Sequence, residues 1–381
     1  MHPISDKLQQ KLEKRKLEHS LRQLRVSDGL IDFCSNDYLG FAKSEELYDR
    51  ISSELDQLKI KSNGATGSRL ISGNNDQVEH LEHKLAHFFK GESALFFNSG
   101  YSANQSILSA VPQRGDTIVY DELVHASIKD GMRLSFANKI SFKHNSIEDL
   151  ERKLVASSGD TYVVVESIYS MDGDMSLLQA VATVCDQQQA FLIVDEAHSV
   201  GVIGEQGIGL CAEEGILENV FARIYTFGKA LGVHGACAVG SQSLKDYLIN
   251  FARPFIYTTA LPVHSIVSVS CAIDYLENAK QSIDQLYKNI SYFQQKMKQC
   301  DKDLQLNNMR LMKSNTAIQG VIIPGNEAVH SKAAFLQDNG MDVRPILSPT
   351  VKIGAERLRI CLHSFNTVAE LDLLVDKLLE S

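Results

Sequence analysis

The chain has 381 residues, 44% hydrophobic and 22% charged, with 38 basic against 47 acidic side chains and a net charge of −9. That is an ordinary globular composition, long enough for two cores or for one large core with a smaller appendage. The acidic balance without a clustered basic run excludes a nucleic-acid surface, and no apolar stretch reaches bilayer-spanning length.

In chain order, a charged amphipathic helix is predicted over 3–25, with Leu8, Leu12, Leu17, Leu21 and Leu24 at near-helical spacing. Leu30–Cys34 reads as a short strand before the polar turn Ser35–Tyr38, and Ser44–Leu58 as a second helix. Ser62–Arg69 is a small-residue loop that leads into a helix through Phe89. Strand and helix then alternate: Ala94–Phe97 and Tyr101–Ala110, Thr117–Tyr120 and Ala126–Phe136, Tyr162–Val165 and Ser176–Gln188, then the strand Phe191–Val194. A further strand-like stretch, Ala222–Thr226, ends in a turn that presents Lys229. This alternation implies parallel βαβ units, and the apolar strands imply a sheet covered on both faces.

Beyond Leu261-Pro262 the texture changes to a long helical stretch, Val263–Gln299, weaker strands at 317–323 and 357–362, and a closing helix over 368–379. The predicted organisation is a helical arm over 1–45, a large domain over 46–262 and a small α/β domain over 263–381. Seven scattered cysteines, none in a C-x-x-C pair, exclude a zinc or redox motif. Their odd number and the lack of a secretory leader pattern predict a reducing, cytoplasmic setting.

The chemistry concentrates at two strand ends. Phe191–Val194 delivers Asp195-Glu196-Ala197-His198, and the strand before Thr226-Phe227-Gly228 delivers Lys229. In α/β proteins the carboxyl ends of strands meet at the ligand crevice. An aspartate and a lysine at two such ends are what pyridoxal phosphate (PLP) needs: a Schiff-base lysine and a carboxylate for the pyridinium nitrogen. Asp195 is poised for that charge-assisted bond, with His198 within reach of the cofactor's phenolic oxygen.

Other candidates are weaker alone. Asn98-Ser99-Gly100-Tyr101-Ser102 follows a strand and opens a helix, either an anion site or an ordinary turn. Thr226 could add a hydroxyl to a phosphate, or be only a strand-end threonine. His125 could stack on a cofactor ring, or only cap its helix. Asp-Glu-Ala-His is also a helicase signature, but that reading needs an upstream G-x-x-x-x-G-K-[ST] loop, and the chain has none. His80, His83 and His87 share one side of a helix with no carboxylate or cysteine partner, and read as a solvated face rather than a metal site.

In these residues and the stretches around them, the chain resembles the α-oxoamine synthases, PLP enzymes of fold type I, along nearly its whole length. The matching stretches are Cys34–Gly40, Ser99–Asn104, His125-Ala126-Ser127, Ser170–Asp174, Asp195–His198, Gly201–Gly207, Thr226–Lys229 and Tyr257–Pro262. The resemblance implies a large domain with a mostly parallel sheet plus a smaller C-terminal α/β domain. It implies that Lys229 holds PLP, Asp195 binds the ring nitrogen, His125 stacks on the ring, and His198 bonds its phenolic oxygen. It further implies that Ser170 contacts the cofactor, and that Gly100, Tyr101 and Thr226 surround the phosphate. Thr258 or Thr259 would reach the phosphate of a neighbouring subunit, which makes the active form a homodimer. Arg22, Asn36 and Thr350 would contact substrate, and Arg359 would hold the amino acid's carboxylate.

The implied reaction joins an amino acid to an acyl thioester with loss of CO2. The pattern is nearest to the biotin-pathway members, which implies alanine and a pimeloyl thioester of coenzyme A or a carrier protein. A glycine C-acetyltransferase shares the same catalytic groups. The chain departs from the biotin-pathway pattern near Pro349-Thr350-Val351, where the arginine expected just ahead of the motif is replaced by Leu347-Ser348, with Arg344 further upstream.

Overall fold

The computed structural model describes residues 4–24, 26 and 29–380. By its contacts the chain divides into two units: one of Asn36–Ser170 with Met175–Ile283, the other of the described residues up to Ser35 with Met171–Asp174 and the chain from Asp284 onward.

The larger unit is built on a seven-stranded sheet: β1 (Ser93–Phe97), β2 (Thr117–Asp121), β3 (Asn138–Phe142), β4 (Thr161–Glu166), β5 (Phe191–Asp195), β6 (Val220–Thr226) and β7 (Ala236–Gly240). The order is β1-β7-β6-β5-β4-β2-β3. The pairs from β6 through β3 are parallel, while β7 pairs antiparallel with both β6 and β1. Tyr162–Val165 of β4 are all buried, an unbroken apolar run that only a strand covered on both faces can afford. Ile118, Val164, Ile193 and Ile224 from the sheet join Ile107, Ile128 and Leu248 from the covering helices in one core.

The smaller unit holds a four-stranded antiparallel sheet of β8 (Arg310–Leu311), β9 (Ile318–Ile322), β10 (Arg344–Ile346) and β11 (Arg357–Cys361), in the order β10-β11-β9-β8. Its N-terminal helix spans Asp6–Leu17, shorter than the predicted 3–25, whose end residues Pro3 and Arg25 lie outside the described residues. His19 at φ 49° ends it in a left-handed cap: its amide bonds Lys16 O at 3.1 Å, and that of Ser20 bonds Arg15 O at 2.8 Å. The predicted helix 263–299 is two helices, Val263–Leu276 and Lys280–Gln299, separated by Glu277–Ala279. Among the described residues no helix is long and apolar enough to cross a membrane.

Candidate active site

In the larger unit β2, β4, β5 and β6 end in Asp121, Glu166, Asp195 and Thr226, so four polar side chains stand at the carboxyl edge of one sheet. Asp195 is buried, and both its oxygens are occupied. Asn104 Nδ2 donates to Oδ2 at 2.7 Å, and the Ala197 amide donates to Oδ1 at 3.0 Å. Asn104 also donates to Ser127 Oγ at 3.0 Å, which ties the helix Gly100–Ala110 to the helix Ala126–Leu134 behind the carboxylate.

Lys229 lies in the turn after β6. That turn needs Gly232, whose φ is +66° and where a Cβ would stand 2.2 Å from the Ala42 amide nitrogen. Lys229 Nζ is 2.8 Å from His198 Nε2, and His198 Nδ1 is 2.7 Å from the Tyr38 hydroxyl. The Tyr38 hydroxyl in turn donates to Asn36 Oδ1 at 3.2 Å. These distances admit a directional chain in which an ammonium donates to Nε2, Nδ1–H donates to Tyr38, and Tyr38 donates to Asn36. Tyr38 is 1% exposed and His198 5%, so the middle of this chain is shielded from water, while Lys229 and Asn36 at its ends are half-buried.

His125 caps the helix Ala126–Leu134, its Nδ1 accepting from the Ser127 amide at 3.2 Å. Its ring meets Tyr101 edge-on, with centroids 6.5 Å apart. Desolvation holds the imidazole below its ordinary value; Asp195 opposes this and Lys229 reinforces it. The His125 amide donates to Glu166 Oε1. Burial of Glu166, reinforced by Asp195 and opposed by Lys229 and that amide, pushes its carboxyl up to about 8.

The helix Gly100–Ala110 opens with a capping box in which Ser99 and Ser102 satisfy each other, and the cap makes no use of the amides of Gly100 and Tyr101. A Cβ on Gly100 would lie 3.3 Å from Thr226 Cβ, so the helix start and the end of β6 approach closely. Asn98 Nδ2 donates to Thr259 O at 3.0 Å, and Thr258 lines a recess with Arg69, Phe96, Asn98 and Phe255. Helix-start amides not used by the cap, beside a hydroxyl, suit a phosphate; a buried carboxylate suits a pyridinium, and a lysine beside an imidazole suits a Schiff base. The donor set fits PLP.

In the smaller unit Arg22 Nη2 bonds Thr350 Oγ1 at 3.3 Å. Arg359 of β11 donates to Cys361 Sγ at 2.9 Å and is the register partner of Arg344 on β10, which pairs with Asp342 at 2.8 Å. Ser170 is half-buried at the end of its segment of the larger unit. Glu196 is fully buried and accepts from the amides of Leu210 at 3.0 Å and Cys211 at 2.8 Å, so this carboxylate of the Asp-Glu-Ala-His run pins a loop. His80, His83 and His87 are exposed, and the described residues contain no group of metal-binding side chains.

Tyr38, Asn104 and Glu166 belong to this arrangement and are not singled out by the sequence. Tyr38 and Asn104 lie inside the quoted matching stretches, and Glu166 ends its strand as Asp195 does.

The family model described as aminotransferase class I and II matches residues 28–378. The chain is 36% identical to an 8-amino-7-oxononanoate synthase of Emericella nidulans, over 98% of this chain and 94% of that protein. It is 38% identical to one of Marinobacter nauticus, over 93% and 89%. It superposes with a TM-score of 0.87 and 25% identity on a serine palmitoyltransferase from S. paucimobilis solved with a bound PLP–myriocin aldimine, covering 98% of this chain and 96% of that one. The chain therefore belongs to the class I and II aminotransferase family, in its α-oxoamine synthase branch, and is a PLP-dependent enzyme of fold type I.

Proposed function

We propose that the chain condenses L-alanine with a pimeloyl thioester, releasing CO2 and the free thiol carrier and forming 8-amino-7-oxononanoate for biotin biosynthesis. The observation that carries the chemistry is the Lys229–His198 contact of 2.8 Å beside the doubly bonded Asp195 carboxylate. The substrates are supported by relatives at 36% and 38% identity that bear this enzyme's name.

When bound, PLP supplies an electron sink for the pair left at the substrate's Cα by loss of a proton or of CO2. Lys229 would hold it covalently, Asp195 would balance its pyridinium, and the Gly100 and Tyr101 amides with the Thr226 hydroxyl would hold its phosphate. His125 would cover its ring face, and His198 and Ser170 would complete the contacts. Thr258 or Thr259 of a second copy would close the phosphate site, making the enzyme a homodimer.

Lys229 Nζ is the group that moves the proton at the amino acid's Cα. His198 Nε2 would aim that amine in the tautomer that places N–H on Nδ1, toward Tyr38. Arg359 offers a planar fork for the amino acid's carboxylate, and Arg22, Asn36 and Thr350 contact substrate.

The test offers alanine, glycine and serine separately, each with pimeloyl-CoA, a pimeloyl carrier protein, acetyl-CoA and palmitoyl-CoA, and follows amino ketone by mass. Product from alanine with a pimeloyl thioester is the expected result, and comparison of the two pimeloyl donors identifies the carrier. Product mainly from glycine with acetyl-CoA, or from serine with palmitoyl-CoA, would move the chain elsewhere in the branch. Alanine and glycine differ by one methyl, worth about 1–3 kcal/mol of discrimination.

A further inference from the structure

Glu166 and Asp195 are register partners at the ends of β4 and β5. Register partners in a sheet project to the same face, so the two carboxyl groups stand side by side, and they are 3% and 6% exposed. Two buried carboxyl groups this close resist double ionisation, and one retains its proton.

The donors decide which. Asp195 accepts at both oxygens, from Asn104 and from the Ala197 amide. Among the described residues the donor to Glu166 is the His125 amide, at Oε1. A carboxylate is satisfied by donors at both oxygens, whereas a carboxylic acid needs fewer and can itself donate.

We propose that Glu166 carries a proton in the resting enzyme and acts as a positioning residue, its neutral carboxyl bracing the His125 turn while the negative charge stays on Asp195. The use made of Asp195 rests on the PLP reading above; the location of the proton does not. The titratable groups facing Glu166 are Asp195 from β5, Asp121 from β2, Lys229 from the turn after β6, and His125 and Tyr169 from the flanking segments. Both aspartates favour the protonated form, and Lys229 opposes it.

Infrared spectra of the holoenzyme labelled with carbon-13 in the glutamate carboxyl test this directly. The expected result is a protonated-carboxyl band at neutral pH that is absent from Glu166→Gln and fades as pH passes about 8. No such band, or one that persists in Glu166→Gln, overturns the proposal. If that variant does not fold, the pH titration of the wild-type band decides alone. If the chain retains no PLP, the band still reports on Glu166, which separates this inference from the cofactor reading.

The positioning role has its own readout. Glu166→Gln keeps a neutral acceptor for the His125 amide, so its PLP dissociation constant and the pH titration of its cofactor absorbance should overlay wild type below pH 8. Glu166→Ala removes the acceptor and should weaken PLP binding about tenfold, the scale of one lost buried hydrogen bond. Equal loss in both variants contradicts a neutral brace.

Discussion

Lys229 Nζ and His198 Nε2 stand 2.8 Å apart beyond the ends of two adjacent strands, and the other side of the imidazole is 2.7 Å from the buried Tyr38 hydroxyl. The imidazole therefore bridges the Lys229 amine and the buried Tyr38 hydroxyl, and its tautomer decides which partner receives the ring N–H. Tyr38→Phe takes this hydroxyl away from the buried His198 Nδ1. It should cost about 1–3 kcal/mol in thermal unfolding and lower kcat more than it raises KM. A variant with wild-type melting and kcat would show that Tyr38 does not set the His198 tautomer.

Asn104 fills one oxygen of Asp195 at 2.7 Å, and a hydrogen bond to a charged group contributes about 1.5–3 kcal/mol. Asn104→Leu keeps the bulk and removes the donor, so PLP should dissociate roughly 10-fold to 100-fold more readily in equilibrium dialysis. An unchanged dissociation constant would contradict a role for Asn104 in holding Asp195 for the cofactor.

The Glu166 proposal also has a stability signature. The folded group titrates near 8 and the unfolded group near 4.5, so the folded chain binds the extra proton between those values. Its contribution is full below pH 4.5 and is lost as pH rises to about 8, on the order of a few kcal/mol over that window. Urea denaturation across pH should show wild type losing ground to Glu166→Gln through this interval. A constant difference between the two would mean that Glu166 is already ionised in the folded protein.

Gly173 sits at φ +71° in the smaller unit, where a Cβ would stand 2.2 Å from Ile318 O. Its carbonyl accepts from Ser314 Oγ and Thr316 Oγ1, both at 2.8 Å. Gly173→Ala must shift this turn, at a cost of about 1–3 kcal/mol for the backbone conformation before the steric clash is relieved. Thermal melting of the variant at the wild-type midpoint would contradict that packing.

The strand-end residues were legible because βαβ alternation dictates where strand ends go: Asp195, Thr226 and Lys229 follow from apolar runs and the turns after them. β3 was not legible, since its edge strand Asn-Lys-Ile-Ser-Phe is largely exposed and has no apolar run. β7, Ala-Cys-Ala-Val-Gly, is too small-sided to announce itself. Tyr38, Asn104 and Glu166 acquire their roles from partners 160, 91 and 41 positions away, so no local spacing encodes them. Glu166 stands beside Asp195 only through strand register, which pairing defines.

The most direct test of the account uses alanine labelled in its carboxyl carbon, pimeloyl-CoA and PLP-loaded enzyme, with the Lys229→Ala variant alongside. The expected result is one labelled CO2 per thiol released by the wild type, and none from the variant even where it retains PLP. Labelled CO2 released equally by the variant, or a labelled keto acid formed without thioester, would contradict it.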